Sequence, residues 1–172
     1  YFAEKVVPYI RNQYQWTLYP QSKALLLVRD LRDLHCSVRS FNEKRGFASF
    51  GYEKSDSEEE FINITERIFR FNQANWKQHP KQVKLVRYED MILQPRETLL
   101  MITKFLGLDD SAGVIEQVIK ETQKDTPNLK QHRTTDDGRQ SIGRWKHDLN
   151  PKIAVLYRER FGKEMRELGY EI

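Results

Sequence analysis

At 172 residues, with 38% hydrophobic and 31% charged residues, the chain reads as one domain or most of one, 1–172, long enough to bury a core. A net charge of +4 suits an anionic ligand but falls short of the dense basic stripe of a dedicated nucleic-acid binder. No run of about 18 apolar residues predicts a membrane span, no signal-peptide pattern is seen, and Cys36, the single cysteine, rules out an internal disulfide and predicts a reducing, cytoplasmic compartment.

The opening, Phe2 to Tyr19, mixes aromatics with Lys5 and Arg11 and reads as helical, with Pro20 and Ser22 breaking it. Leu25 to Val28 lacks polar alternation, the pattern of a parallel strand covered on both faces. That strand ends in Arg29. A helix follows to about Arg45, with Leu34, Val38 and Phe41 as its apolar stripe and Gly46 as its stop. Phe47 to Asp56 is a turn-rich loop, and Ser57-Glu-Glu-Glu60 reads as a capping box. It opens a long helix in which Phe61, Ile64, Ile68 and Phe71 recur at helical spacing, ended by Pro80.

Gln82 to Arg87 reads as a second strand leading into Tyr88-Glu89-Asp90. Pro95 opens a helix whose buried face carries Leu99, Ile102, Phe105 and Leu106, with Gly107 at its end. Ser111 caps a further helix bearing Val114, Ile115, Val118 and Ile119. Thr126 to Trp145 has little apolar periodicity, and so long a loop in a compact domain points to function or disorder. Asn150-Pro151 opens a last helical region ending at Gly169-Tyr170. Strand, helix, strand, helix order makes an α/β domain with a parallel sheet. Two strands are too few for such a sheet to stand alone, so further strands are expected outside the chain or in segments whose strand pattern is not evident.

Arginine at the carboxyl end of a buried strand offers a planar fork for two phosphate oxygens, and Ser37, on the following helix, offers a hydroxyl. A continuous helix would hold the two backbones about 12 Å apart, so they share one anion only if the helix starts nearer Arg32 or Asp33. The alternative is a structural ion pair of Arg29 with Asp30 or Asp33.

Arg29-Asp-Leu-Arg-Asp33, followed after three residues by Ser37, resembles the 3′-phosphate-binding motif of sulfotransferases that use 3′-phosphoadenosine 5′-phosphosulfate. Val86-Arg-Tyr-Glu-Asp-Met91, with Gln94-Pro-Arg-Glu-Thr98 and Lys104-Phe-Leu-Gly-Leu108, is similar to that family's Tyr-Glu-Asp segment and the helix after it. Ser141-Ile-Gly-Arg-Trp-Lys146 resembles its Gly-x-Trp-Lys region, and Leu168-Gly-Tyr170 its usual ending.

The resemblance runs from about Lys23 to the end. It implies a three-layer, helix-rich sulfotransferase-like α/β fold lacking its opening strand, loop and helix. It implies that Arg29 and Ser37 hold the cofactor's 3′-phosphate and that Tyr88 stands beside the adenine. Glu89 and Asp90 would cap and position rather than react. Arg139, with Arg144 and Lys146 behind it, would supply the late loop's cations, although Gln140 replaces a glycine common there. Leu31, at a position usually small or proline, should face the sheet. Lys5, in Glu4-Lys-Val-Val-Pro8, loosely resembles a lysine that stabilises the bridging oxygen in some members. The implied reaction is in-line attack on sulfur by a hydroxyl or amine acceptor, with adenosine 3′,5′-bisphosphate leaving and no metal required.

The family's glycine-containing 5′-phosphosulfate loop is not visible, since no glycine precedes Gly46, and no histidine matches its general base. His35, His79, His132 and His147 read as surface or loop residues. Two further readings therefore stand: a non-catalytic nucleotide-binding or scaffold module of the same fold, and a nucleotide kinase-like protein, for which no Gly-rich loop ending in Lys-Ser or Lys-Thr is found. The acceptor is not legible. The loops Phe47–Asp56 and Thr126–Gly143 are expected to border its pocket.

Overall fold

The computed structural model describes residues 3–5, 13–124, 126 and 131–172. Each element begins and ends on a local signal. Helix α1 spans Gln13–Leu18 and strand β1 Ala24–Val28. Asp30 caps helix α2 (Leu31–Arg45) by accepting the Arg32 N–H, and Gly46 closes it at φ 72°, a backbone conformation costly for any side chain. A short 3-10 turn, Tyr52–Lys54, interrupts the loop before helix α3 (Glu58–Gln78), whose first turn is capped by the Ser57 hydroxyl accepting the Glu60 N–H. Strand β2 (Val83–Arg87) passes directly into α4 (Tyr88–Leu93), followed by α5 (Pro95–Leu106) and α6 (Ala112–Thr122). A 3-10 turn, Gly138–Ser141, precedes α7 (Trp145–Asp148), and Asn150 caps α8 (Pro151–Glu167).

Among the described residues β1 and β2 form a two-stranded parallel sheet, in register from Ala24 with Val83 to Val28 with Arg87. Lys84 and Leu85 are adjacent, so they point to opposite faces. Leu85 packs on the main core, in which Leu31, Cys36, Ile62, Ile153, Tyr157, Phe161 and Met165 bring α2, α3 and α8 together. Lys84 lines a groove with Leu100, Met101 and Phe105 of α5. Helices therefore lie on both faces, which is the expected three-layer α/β arrangement, and Leu31 faces inward as expected. No helix among the described residues is long and apolar enough to cross a membrane.

Four expectations are corrected. Among the described residues the opening is helical over Gln13–Leu18, while Ala3 to Lys5 carry no regular structure; 1–2 and 6–12 lie outside the described residues. β1 is not covered on both faces: Leu25 is 43% and Leu27 57% exposed, because α5 packs against β2 and leaves that side of β1 open among the described residues. On α3 the inward positions are Phe61, Ile62 and Ile64, whereas Phe71 is exposed: apolar residues at helical spacing outlast the surface available to bury them. His35 is not a surface residue. It is wholly buried among Tyr52, Phe61 and Tyr157, with Nδ1 3.1 Å from the Tyr157 hydroxyl and Nε2 3.7 Å from Glu58 Oε1.

Burial, reinforced by Arg39 and opposed by Glu58, lowers the His35 pKa from 6.5 to about 4. The unfolded chain therefore takes up a proton in that window that the folded chain refuses. Stability is full above pH 6.5 and declines as pH falls toward 4. His35→Gln is expected to flatten the slope of Tm between pH 6.5 and 5, and an unchanged slope would assign the acid sensitivity elsewhere.

Candidate functional site

The parallel register puts two side chains side by side at the carboxyl edge of the sheet. Val28 pairs with Arg87, so Arg29 and Tyr88 are the next residue on each strand. The Arg29 guanidinium lies over the Tyr88 ring, 4.3 Å from its centroid. Arg29 Nη2 also donates to the Ser141 carbonyl at 2.8 Å. The Ser141 hydroxyl donates to the Gly138 carbonyl at 2.6 Å, so the Tyr88 hydroxyl, 3.0 Å away, is the donor to Ser141 Oγ. Ser141 is 4% exposed and joins the late loop to both strand ends.

The ion-pair alternative for Arg29 does not describe the structure. Asp30 is taken by Arg32, whose Nε and Nη2 reach its two oxygens at 3.0 and 2.7 Å. Asp33, 1% exposed, accepts the Gly143 N–H at 2.7 Å and the Trp145 N–H at 2.9 Å, one on each oxygen. Burial raises the Asp33 pKa, against the lowering effect of those two N–H groups and of the Arg29 charge. Among the described residues no carboxylate pairs with Arg29, and its Nε is buried without a partner. Arg87 Nε is buried without a partner too, but Arg87 faces Asp90 at 3.9 Å, so of the two it is Arg29 that lacks a counter-charge among the described residues, the feature expected of an anion ligand.

Helix α2 starts at Leu31, slightly earlier than the spacing argument asked. Ser37 lies six residues in, about 9 Å along the axis. It is half-buried and falls on a stripe with Asp33, Ser40 and Lys44 at helical spacing. Each of those three is bonded to the late loop: Asp33 as above, Ser40 by Arg144 and Lys44 to the Arg133 carbonyl. Ser37 therefore stands on the face of α2 turned toward the loop that also meets Arg29.

The remaining candidates are placed differently. Arg139 is exposed; its backbone N–H is bonded to Asp137 and its carbonyl accepts the Ile142 N–H, while no hydrogen bond among the described residues holds its side chain. Arg144 is consumed by Asp148, Thr134 and Ser40 and fastens the loop to α2. Lys146 is bonded to Glu171 at 2.7 Å. Lys5 is exposed, and no hydrogen bond among the described residues ties it to Arg29, Tyr88 or Ser141. Glu89 and Asp90 are the groups expected to position rather than react. Glu89 is buried and holds the Asp30 N–H, while Asp90 sits 3.9 Å from Arg87 near the surface. Sequence reasoning missed Asp33 and Ser141, for which a single chain carries no signal beyond their place inside the quoted motifs.

The two loops expected to border an acceptor pocket meet at Phe41. His132 stacks on its ring at 5.5 Å and Phe50 packs edge-on at 5.2 Å. Beside them lies an open depression of about 750 Å³ lined by Ser40, Lys44, Arg133, Thr134, Thr135, Asp136 and Gln140.

The chain matches a domain family, curated relatives and a solved structure. Residues 14–169 match the model of the sulfotransferase domain. A Caenorhabditis briggsae protein named "putative protein-tyrosine sulfotransferase" is 35% identical over 102 residues, 57% of this chain and 33% of that one. A Caenorhabditis elegans protein of the same name is 28% identical over 151 residues, 86% of this chain and 52% of that one. The chain thus spans about half the length, or less, of these curated relatives. Mouse sulfotransferase SULT7A1 complexed with PAP shares the fold, with a TM-score of 0.60 at 19% identity over 85% of this chain and 59% of that one.

Proposed function

Because the chain belongs to the sulfotransferase domain family, we propose that it carries the 3′-phosphate and adenine site of an enzyme moving a sulfuryl group from 3′-phosphoadenosine 5′-phosphosulfate to a hydroxyl or amine acceptor. The observation that carries this reading is Arg29: a cation at the sheet edge, free of carboxylates among the described residues, with Nε buried and unpartnered.

The bound nucleotide would supply the activated sulfuryl group. Arg29 and Ser37 would hold its 3′-phosphate, a planar fork and a hydroxyl suited to one tetrahedral anion. Tyr88 would stand beside the adenine, its ring kept in place by the Ser141 bond. Arg139, exposed at the loop's 3-10 turn, would add a cation at the loop's edge. Arg144 and Lys146 would act by ordering that loop, since each already has internal partners. Lys5 remains a candidate for the bridging oxygen on sequence grounds alone. The names of the Caenorhabditis relatives favour a phenolic hydroxyl as acceptor.

Equilibrium titration is expected to show adenosine 3′,5′-bisphosphate bound at least about tenfold more tightly than 5′-AMP, since a charge-assisted contact is worth roughly 1.5–3 kcal/mol. Equal affinities would remove the assigned phosphate site. Transfer of labelled sulfate to a tyrosine peptide would separate the enzyme from a binding module of the same fold.

A further inference from the structure

The Arg29 anchor has a second layer of support that reaches far along the chain. Glu89 directly follows Tyr88, is 5% exposed, and uses its two oxygens on different segments. Oε1 accepts the Asp30 N–H at 3.0 Å, in the peptide that leaves Arg29. Oε2 accepts the Tyr170 O–H at 2.9 Å. Tyr170 reaches that spot through a tight turn at Gly169 (φ 80°), where a Cβ would stand 3.2 Å from Arg87 Nη1. The Arg87 guanidinium then covers the Tyr170 ring at 4.6 Å.

The next residue closes the circuit. The Glu171 carbonyl accepts from Arg32, whose guanidinium is 3.7 Å from the Trp145 ring and is paired with Asp30. Residues 170–171 thus grip both sides of the Asp30 turn: its N–H through Glu89 and its carboxylate through Arg32. Glu89, Asp30, Arg32 and Tyr170 are all buried, so a lost partner strands a polar atom that water does not readily serve. Burial, and Glu89 beside it, raise the Tyr170 pKa, which keeps the hydroxyl a donor.

We propose that Tyr170 is a positioning residue for nucleotide binding: through Glu89 it fixes the Asp30 peptide and so the direction in which Arg29 presents its guanidinium. The inference rests on the reading of Arg29 as the 3′-phosphate ligand. Tyr170 itself bonds to neither Arg29 nor Tyr88; it acts through Glu89.

The test titrates the protein and its Tyr170→Phe variant with adenosine 3′,5′-bisphosphate and with 5′-AMP, and records Tm for each. Tyr157→Phe serves as the structural control, because it deletes a buried hydroxyl that faces His35, away from this circuit. Tyr170→Phe is expected to weaken bisphosphate binding about three- to tenfold and 5′-AMP binding less than about twofold. Tyr157→Phe is expected to lower Tm and leave the ratio of the two affinities unchanged. Glu89→Asp, one methylene shorter, does not span both partners. It should give the same selective loss, and it keeps the test decisive where Tyr170→Phe melts too low. A wild-type protein that discriminates between the nucleotides, with both variants discriminating equally well, overturns this inference and leaves the Arg29 assignment standing. A wild-type protein that does not discriminate overturns both.

Discussion

Arg29→Ala is expected to weaken adenosine 3′,5′-bisphosphate binding by about ten- to hundredfold, the range a lost charge-assisted contact of roughly 1.5–3 kcal/mol implies. Binding of 5′-AMP should change far less, because the ligand then lacks the group that Arg29 meets. Among the described residues the guanidinium makes one hydrogen bond, to the Ser141 carbonyl, and stacks on Tyr88. Most of its donors are therefore uncommitted, and removing it should cost little stability beside the loss in affinity. Arg29→Lys should fall between, keeping the charge and losing the two-pronged geometry. Calorimetric titration of the three proteins with both nucleotides checks this. Equal losses for both ligands would mean that Arg29 supports the fold rather than the phosphate.

Asp33→Asn is expected to lower both stability and nucleotide affinity. The carboxylate serves two backbone N–H groups, Gly143 and Trp145, one on each oxygen. An amide of the same shape accepts from one and presents its own N–H to the other. The site is 1% exposed, so water does not rescue the stranded donor. A buried unpaired donor costs about 1–3 kcal/mol, or a fall in Tm of roughly 2–12 °C at about 2–4 °C per kcal/mol for a domain of this size. Affinity falls with it, because the loop fastened at 143 and 145 carries Ser141, the partner of both Arg29 and Tyr88. Removing a negative charge near Arg29 would by itself favour an anion. That gain is expected to be smaller than the loss of the loop's two anchors. A variant with unchanged Tm and tighter bisphosphate binding would show the opposite balance.

Much of the fold was legible because its signals are local. Gly46 and Gly107 end helices, Ser57 and Asn150 open them, and Pro95 sits at a first turn, each within one turn of the boundary it predicts. The order of Arg29, Ser37, Tyr88 and Gly143 in the chain was enough to suggest the family, which the domain match over 14–169 then showed. Less of the site was legible. Two arginines three residues apart, Arg29 and Arg32, look interchangeable in the sequence. One is sealed against Asp30, Trp145 and the Glu171 carbonyl, while the other keeps an unpartnered buried nitrogen. Arg144 has the charge of a phosphate ligand and is spent on Ser40, Thr134 and Asp148.

What this sequence determined by itself is where most of the strands and helices begin and end, and which motifs follow one another. Those depend on caps, glycines and apolar spacing read within a few neighbouring residues. What only the tertiary structure decided is partnership. Asp33 meets a loop 110 residues away, Glu89 meets Tyr170 81 residues away, and His35 lies in the core beneath Tyr157. A charged or polar side chain takes whichever complementary atom packing brings within about 3 Å, and packing is settled by how whole faces of α2, α3 and α8 bury against the sheet. No short-range pattern records that choice, so the chemistry of Arg29 emerges only when the distant segments around it are in place.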